Sequence, residues 1–192
     1  MNSNLSEYSR DWHLMIDIET LGKLPGCPVM SIGATFFKPE TGAIGDTFYR
    51  QIGLASEEAN GAKICGDTVL WWMQQSEQAR NSLCATGTAV NDALVELNDF
   101  CARKCDPDYL QVWANSPSFD LAILANAYAR AGLTQFWKFY NERDVRTLVE
   151  LGRQIDVNPK RDMPFEGEPH YALDDAIHQA KYVSVIWQAL LD

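Results

Sequence analysis

Asp17 and Glu19, two carboxylates one residue apart, interrupt an apolar run in the stretch His13-Leu14-Met15-Ile16-Asp17-Ile18-Glu19-Thr20. On a strand, residues i and i+2 point to the same face, so the two acids stand side by side. Leu14, Ile16 and Ile18 then fill the opposite face, toward a core. Adjacent carboxylates repel, and burying them unpaired costs roughly several kcal/mol. A hard divalent cation between them answers that cost. Taken alone, the pair fits a solvated edge strand equally well.

Three further residues bear on that choice. Asp120 falls in the first turn of a helix expected to begin after Pro117, just past the carboxyl end of a short strand, where ligand sites of α/β sheets gather. Many helices carry a plain first-turn acid of this kind. His170 follows Pro169 and precedes the last helix, whose opening turn holds Asp174 and Asp175. Residues five apart on a helix lie about 140° from each other, so His170 projects from the loop while the helix holds Asp175. A loop-borne imidazole with its pKa near neutrality is a natural proton acceptor, although a surface histidine has the same appearance. Periodicity does not separate Asp174 from Asp175, since both sit off the apolar stripe of Leu173, Ile177, Ala180 and Trp187.

The elements that must position these groups read as follows. Residues 1–10 form a flexible tail, and 11–192 a single domain. A first strand spans about 12–18, followed by a loop rich in breakers, Thr20-Leu21-Gly22-Lys23-Leu24-Pro25-Gly26. Val29 to Phe37 and Ala43 to Ile52 read as strands joined by the turn Pro39-Glu40-Thr41-Gly42, which gives an antiparallel meander. Residues 53–66 look irregular. Asp67 or Thr68 caps a helix reaching about Gln75 that carries Trp71 and Trp72. Val90, Leu94, Leu97 and Cys101 recur at helical spacing between Thr88 and Lys104. Tyr109 to Ala114 is a short strand that runs into Asn115-Ser116-Pro117-Ser118, a helix start with Pro at its first position. That helix stops at Gly132. Phe136 to Tyr140 reads as a strand, Asp144 caps a helix to about Gln154, 156–169 as a mobile loop, and Ala172 to Leu190 as the last helix. Strands followed by alternating helix and strand predict an α/β domain with a mixed sheet.

Composition narrows the classes. The 192 residues carry 16 Lys plus Arg against 26 Asp plus Glu, a net charge of -10, which argues against loose binding to long nucleic acid through a basic face. No stretch is apolar enough to span a membrane, and the first ten residues lack a signal region, so the expected location is the cytoplasm. Five cysteines fit reduced thiols; Cys101 and Cys105 at i, i+4 make a poor zinc site alone. His13 and His178 read as structural.

In order, the pattern is Asp-x-Glu on a first strand, Asp at a helix start, then His-x-x-x-x-Asp opening a terminal helix. It resembles the DEDDh branch of the 3′–5′ exonucleases, whose members include proofreading polymerase subunits, ribonuclease T and oligoribonuclease. The matching stretches are Met15-Ile16-Asp17-Ile18-Glu19-Thr20, Asn115-Ser116-Pro117-Ser118-Phe119-Asp120 and His170-Tyr171-Ala172-Leu173-Asp174-Asp175-Ala176. The segment Thr68-Val69-Leu70-Trp71-Trp72-Met73-Gln74-Gln75-Ser76 is also similar to a sub-branch of phage and prophage exonucleases and bacterial exoribonucleases.

The resemblance implies a ribonuclease H-like fold, a five-stranded sheet with one antiparallel strand flanked by helices. It implies two Mg²⁺ or Mn²⁺ ions held by Asp17, Glu19, Asp120 and Asp175, with His170 as general base. The family register, with His five positions before the last carboxylate, selects Asp175 over Asp174. Implied substrate contacts are Thr20 and Leu21 after the acid pair, Trp71 or Trp72, Asn115 and Phe119. Adjacent helical residues point about 100° apart, so one tryptophan faces the cleft and the other the core. Arg143, Asp144 and Arg146 reach phosphate or simply begin a helix. The implied partner is the 3′ end of a single strand, released as nucleoside 5′-monophosphates. The phage likeness tilts toward DNA, with an exoribonuclease acting on short RNA as the alternative, and a homodimer is compatible with the relatives. All five catalytic positions being present speaks against a silent binding module.

Overall fold

Leu14, Ile16 and Ile18 alternate with Met15, Asp17 and Glu19 along β1 (His13–Thr20), and this alternation sets the two faces of the sheet. The structure, a computed structural model, describes residues 8–191. Residues 1–7 of the expected tail lie outside the described residues. Tyr8 donates its backbone N–H to the Lys104 carbonyl at 2.7 Å and packs its ring against Trp12 and Phe36.

Along the chain β1 is followed by β2 (Val29–Lys38), β3 (Ala43–Gln51), α1 (Leu54–Ala59), α2 (Gly66–Trp72), α3 (Glu77–Leu83) and α4 (Val90–Lys104). Then come β4 (Val112–Ala114), α5 (Asp120–Arg130), β5 (Glu142–Asp144), α6 (Val145–Gln154), α7 (Pro159–Asp162) and α8 (Ala172–Leu191). Among the described residues the strands form one five-stranded sheet in the order β3-β2-β1-β4-β5. β2 runs antiparallel to both neighbours, whereas β4 is parallel to β1 and β5 to β4. This is the mixed sheet with one antiparallel strand that was expected. β1 is its central strand, so the edge-strand reading of Asp17 and Glu19 fails.

α4 and α5 cover the face of Leu14, Ile16 and Ile18, where Leu94, Leu97, Leu124 and Tyr128 complete a buried cluster. On the other face, α6 and α8 bury Met15, Phe37 and Trp113 against Val145, Val149, Ala180 and Val183. Each fully buried side chain of this size contributes ~1.5–3 kcal/mol over leaving it exposed. The α8 face sits unusually close. A Cβ on Gly33, the β2 residue paired with Asp17, would stand 2.2 Å from the Ala172 carbonyl carbon. Only glycine lets the start of α8 rest on the sheet there.

Several elements depart from the sequence expectation. α1 lies in the supposedly irregular stretch; its Glu57, 0% exposed, accepts from the Val29 N–H at 2.8 Å and pairs with Arg130. α2 begins at Gly66, which puts Asp67 and Thr68 inside its first turn instead of at its cap, and it ends at Trp72. α3 was not foreseen, though Ser76 caps it by accepting from the Ala79 N–H at 3.0 Å. Pro117 to Phe119 form a turn ahead of the helix, which starts at Asp120 with no side-chain cap. Phe136 to Tyr140 is not a strand, because Phe136 and Trp137 turn into the core beside Tyr128 and a 3₁₀ turn follows at Phe139–Asn141. α7 occupies part of the expected 156–169 loop. The Asp144 cap holds as expected, accepting from the N–H groups of Arg146 and Thr147.

Candidate active site

The carboxyl ends of β1 and β4, the first turns of α5 and α8, and the turn before α8 all open into one cleft of about 420 Å³. Asp17, Glu19, Asp120, His170 and Asp175 line it together. One ligand atom from each of Glu19, His170 and Asp175 falls within 4.8 Å of the other two. Five polar residues far apart in sequence thus meet because a central strand and two helix starts end at the same place.

The structure separates the two acids that periodicity left alike. Asp174 turns back to the loop, where its Oδ2 accepts from the Glu168 N–H at 2.9 Å. Asp175 lines the cleft, and its Oδ2 accepts from the His170 N–H at 2.8 Å. His170 itself adopts a left-handed backbone conformation, φ 65°, which side chains larger than glycine rarely take. Its ring meets Trp71 and Trp72 edge-on, with centroids 5.1 and 6.0 Å apart.

Electrostatics show what the cleft lacks. Burial pushes the Asp17 carboxyl well above the usual carboxylate range, and the charges of Asp120, Glu19 and Asp175 push it further. Glu19 is raised to about 8 by burial, then by Asp175 and Asp120. Burial raises Asp120 to about 7 against the opposing pull of backbone N–H groups, and burial also raises Asp175. None of the four makes an ion pair among the described residues. Hard oxygen donors gathered without an ion-pair partner among the described residues are the donor set of Mg²⁺ or Mn²⁺, and the residues present fit such ions.

The expected substrate contacts divide. Trp71 is 42% exposed on the cleft wall, while Trp72 is 3% exposed and its indole N–H donates to the Thr20 carbonyl at 2.9 Å. Leu21 is buried with Met30, Trp72 and Ala79, and its side chain does not line the cleft. Thr20, also buried, borders an adjoining pocket of about 280 Å³ with Trp71 and Phe119. Asn115 lines the cleft, and its Oδ1 is buried without a partner among the described residues. Arg146 lines it too, from the first turn of α6. Gln179 completes the wall and was not foreseen. Its position four residues after Asp175, on the same helix face, is the signal that points to it.

Residues outside the cleft keep structural roles. His13 accepts from the Trp113 indole at 3.0 Å, and burial followed by the Arg143 charge lowers its pKa to about 4. His178 packs against Phe165 and Tyr182. Cys101 and Cys105 are buried, and burial drives the Cys105 thiol up to about 12.

A ribonuclease H-like sheet with acids at the end of its central strand and a histidine before the last helix defines the class of DEDDh exonucleases. Within it, the model of the Rv2179c-like 3′–5′ exoribonuclease domain matches residues 12–187, and the chain belongs to that family. It is a 3′–5′ exonuclease, a nucleic-acid hydrolase. An exodeoxyribonuclease of Enterobacteria phage T4 is 27% identical over 209 residues, covering 92% of this chain and 88% of the relative. The fold is shared with the nuclease domain of 3′hExo, a DEDDh family member bound to rAMP. That likeness has a TM-score of 0.61 at 14% identity and covers 93% of this chain and 92% of that one. It is shared as well with exonuclease I, with a TM-score of 0.65 at 14% identity over 94% of this chain and 43% of that one.

Proposed function

We propose that the chain removes nucleotides stepwise from the 3′ end of a single strand and releases nucleoside 5′-monophosphates. One observation carries the reading: four carboxylates with no ion-pair partner among the described residues and one histidine converge on a single open cleft. Asp17, Glu19, Asp120 and Asp175 would hold two Mg²⁺ or Mn²⁺ ions. When bound, such ions activate water for attack and stabilise the departing 3′ oxygen. The His170 imidazole takes the proton of the attacking water, in a position set by its backbone bond to Asp175 and the edges of the two indoles. Trp71 and Phe119 stack the terminal bases, and Arg146 meets a phosphate. The net charge of -10 then suits a short strand gripped at its end better than a long duplex.

DNA is the favoured substrate, supported by the full-length likeness to a phage exodeoxyribonuclease. The exoribonuclease description of the family favours RNA as the second reading. Matched 5′-labelled DNA and RNA strands with Mg²⁺ or Mn²⁺ test both. Shortening from the 3′ end is expected, lost in Asp17→Asn, with DNA the faster. Faster RNA shortening selects the second reading, and pure wild-type protein that shortens neither strand refutes the proposal.

A further inference from the structure

α8 brings more to the cleft than Asp175. Gln179 lies one turn further along, 5% exposed, and its Nε2 donates to Asp17 Oδ1 at 2.7 Å. The bond joins residues 162 apart in sequence and ties the helix that carries Asp175 to the strand that carries Asp17 and Glu19. The other end of the amide is uncompensated, because Oε1 is buried with no partner among the described residues. Buried polar groups are nearly always paired, so an amide kept here with half its capacity unused is there for the half that is used. The side-chain type fits that use. A lysine at this place would add a charge that competes with a cation, and a glutamate would add a fifth acid to a cluster that already repels itself. An amide holds a carboxylate and leaves the charge of the cleft unchanged.

We infer that Gln179 is a positioning residue for the reaction, its amide clamping the Asp17 carboxylate in one orientation toward the cations. The inference rests on the reading of Asp17 as a metal-holding residue. Groups that orient metal-holding side chains in this way typically change metal affinity or activity by about 10–100-fold when removed. A merely structural glutamine would instead knit α8 to β1 and move only stability.

The test compares wild-type protein with Gln179→Met, which keeps the shape and loses the donor. Mn²⁺ affinity is measured by calorimetry without substrate, alongside Tm and the kinetics of 3′ shortening. The expected result for Gln179→Met is a Tm near wild type, Mn²⁺ binding weakened by about 10–100-fold and kcat reduced to a similar degree. The KM for the oligonucleotide stays near its wild-type value. Wild-type Mn²⁺ affinity and kcat in the variant overturn the inference and leave the metal reading intact. Wild-type protein that itself binds no Mn²⁺ overturns both. Should Gln179→Met fail to fold, Gln179→Asn keeps the amide but falls a methylene short of Asp17. Weakened Mn²⁺ binding there supports the inference, and unchanged binding overturns it.

Discussion

Replacing Gly33 by Ala tests the geometry of the site without touching any of its polar groups. Gly33 lies on β2 opposite Asp17, and the backbone of Ala172 and Leu173 at the start of α8 rests directly on it. An added Cβ would meet the Ala172 carbonyl carbon at 2.2 Å, where ordinary contact begins at 3.4 Å, so the first turn of α8 must retreat by about 1.2 Å. Backbone atoms cannot swing aside as a side-chain tip does. Overpacking of this kind costs about 1–3 kcal/mol. For a chain of this size each kcal/mol lowers Tm by roughly 2–4 °C. Asp175 sits three residues beyond Ala172 and moves with it, away from Glu19, while His170 is bonded to Asp175 and follows. A misplacement near 1 Å costs about 10²-fold in rate. Trp71 and Phe119 lie on other elements, so substrate binding is spared. The expected result is a modest loss of Tm, a kcat reduced by about 10²-fold and a KM close to wild type. These come from thermal melts and steady-state shortening of a 5′-labelled strand. Wild-type Tm and kcat in Gly33→Ala would refute the claim that this close approach seats Asp175.

Other perturbations address single parts of the cleft. His170→Ala should lower kcat by about 10²–10⁴-fold while Mn²⁺ affinity by calorimetry is largely kept; vanished affinity would instead make His170 a metal ligand. Trp71→Ala should weaken strand binding by about 1–3 kcal/mol with Tm nearly unchanged, whereas Trp72→Ala should destabilise the fold by about 3–5 kcal/mol. The reverse pattern would exchange the roles of the two indoles. In chelator, the raised carboxyls favour the fold in their protonated form. Their contribution is complete below about pH 4 and is lost as pH rises through about 7 for Asp120 and about 8 for Glu19. Tm without metal should therefore fall across that window, and saturating Mg²⁺ should flatten the slope. Equal slopes with and without Mg²⁺ would count against a cation site.

What the sequence made legible was whatever local pattern encodes. The alternation around Asp17 and Glu19, the Asp144 cap and the 172–190 helix each rest on side chains within a few residues of one another. β5 was invisible because Glu142-Arg143-Asp144 has no strand character of its own and exists by pairing with β4. Phe136 to Tyr140 misled for the opposite reason, since its aromatic run serves the core and not a ladder. α1 and α3 are too short to show a period. Residue by residue, the Trp71 and Trp72 ambiguity was settled only by where α2 packs. Periodicity could not divide Asp174 from Asp175; the family register selected Asp175, and the structure gives the two acids different loop partners, Glu168 and His170. Gly33 matters through its contact with the start of α8, which its local sequence does not mark, and Gln179 was marked only by its place one turn after Asp175.

The consecutive carboxylates that open α8 have a consequence for how the chain can vary. Asp174 holds the N–H of Glu168, Asp175 holds that of His170, and Ser76 Oγ donates to the Glu168 carboxylate at 2.8 Å. Tyr171 adds a stacked contact with Tyr49, ring centroids 4.4 Å apart. The last residues before α8 are therefore moored to the helix and to its neighbours, independently of what lies upstream. The stretch from 155 to 166 is anchored separately, with Pro159 buried, Val157 and Met163 packed on the core between α6 and α8, Phe165 against His178, and Glu166 paired with Lys181. The histidine and the segment ahead of it thus hang from α8 by separate attachments, and a change in one leaves the other's in place.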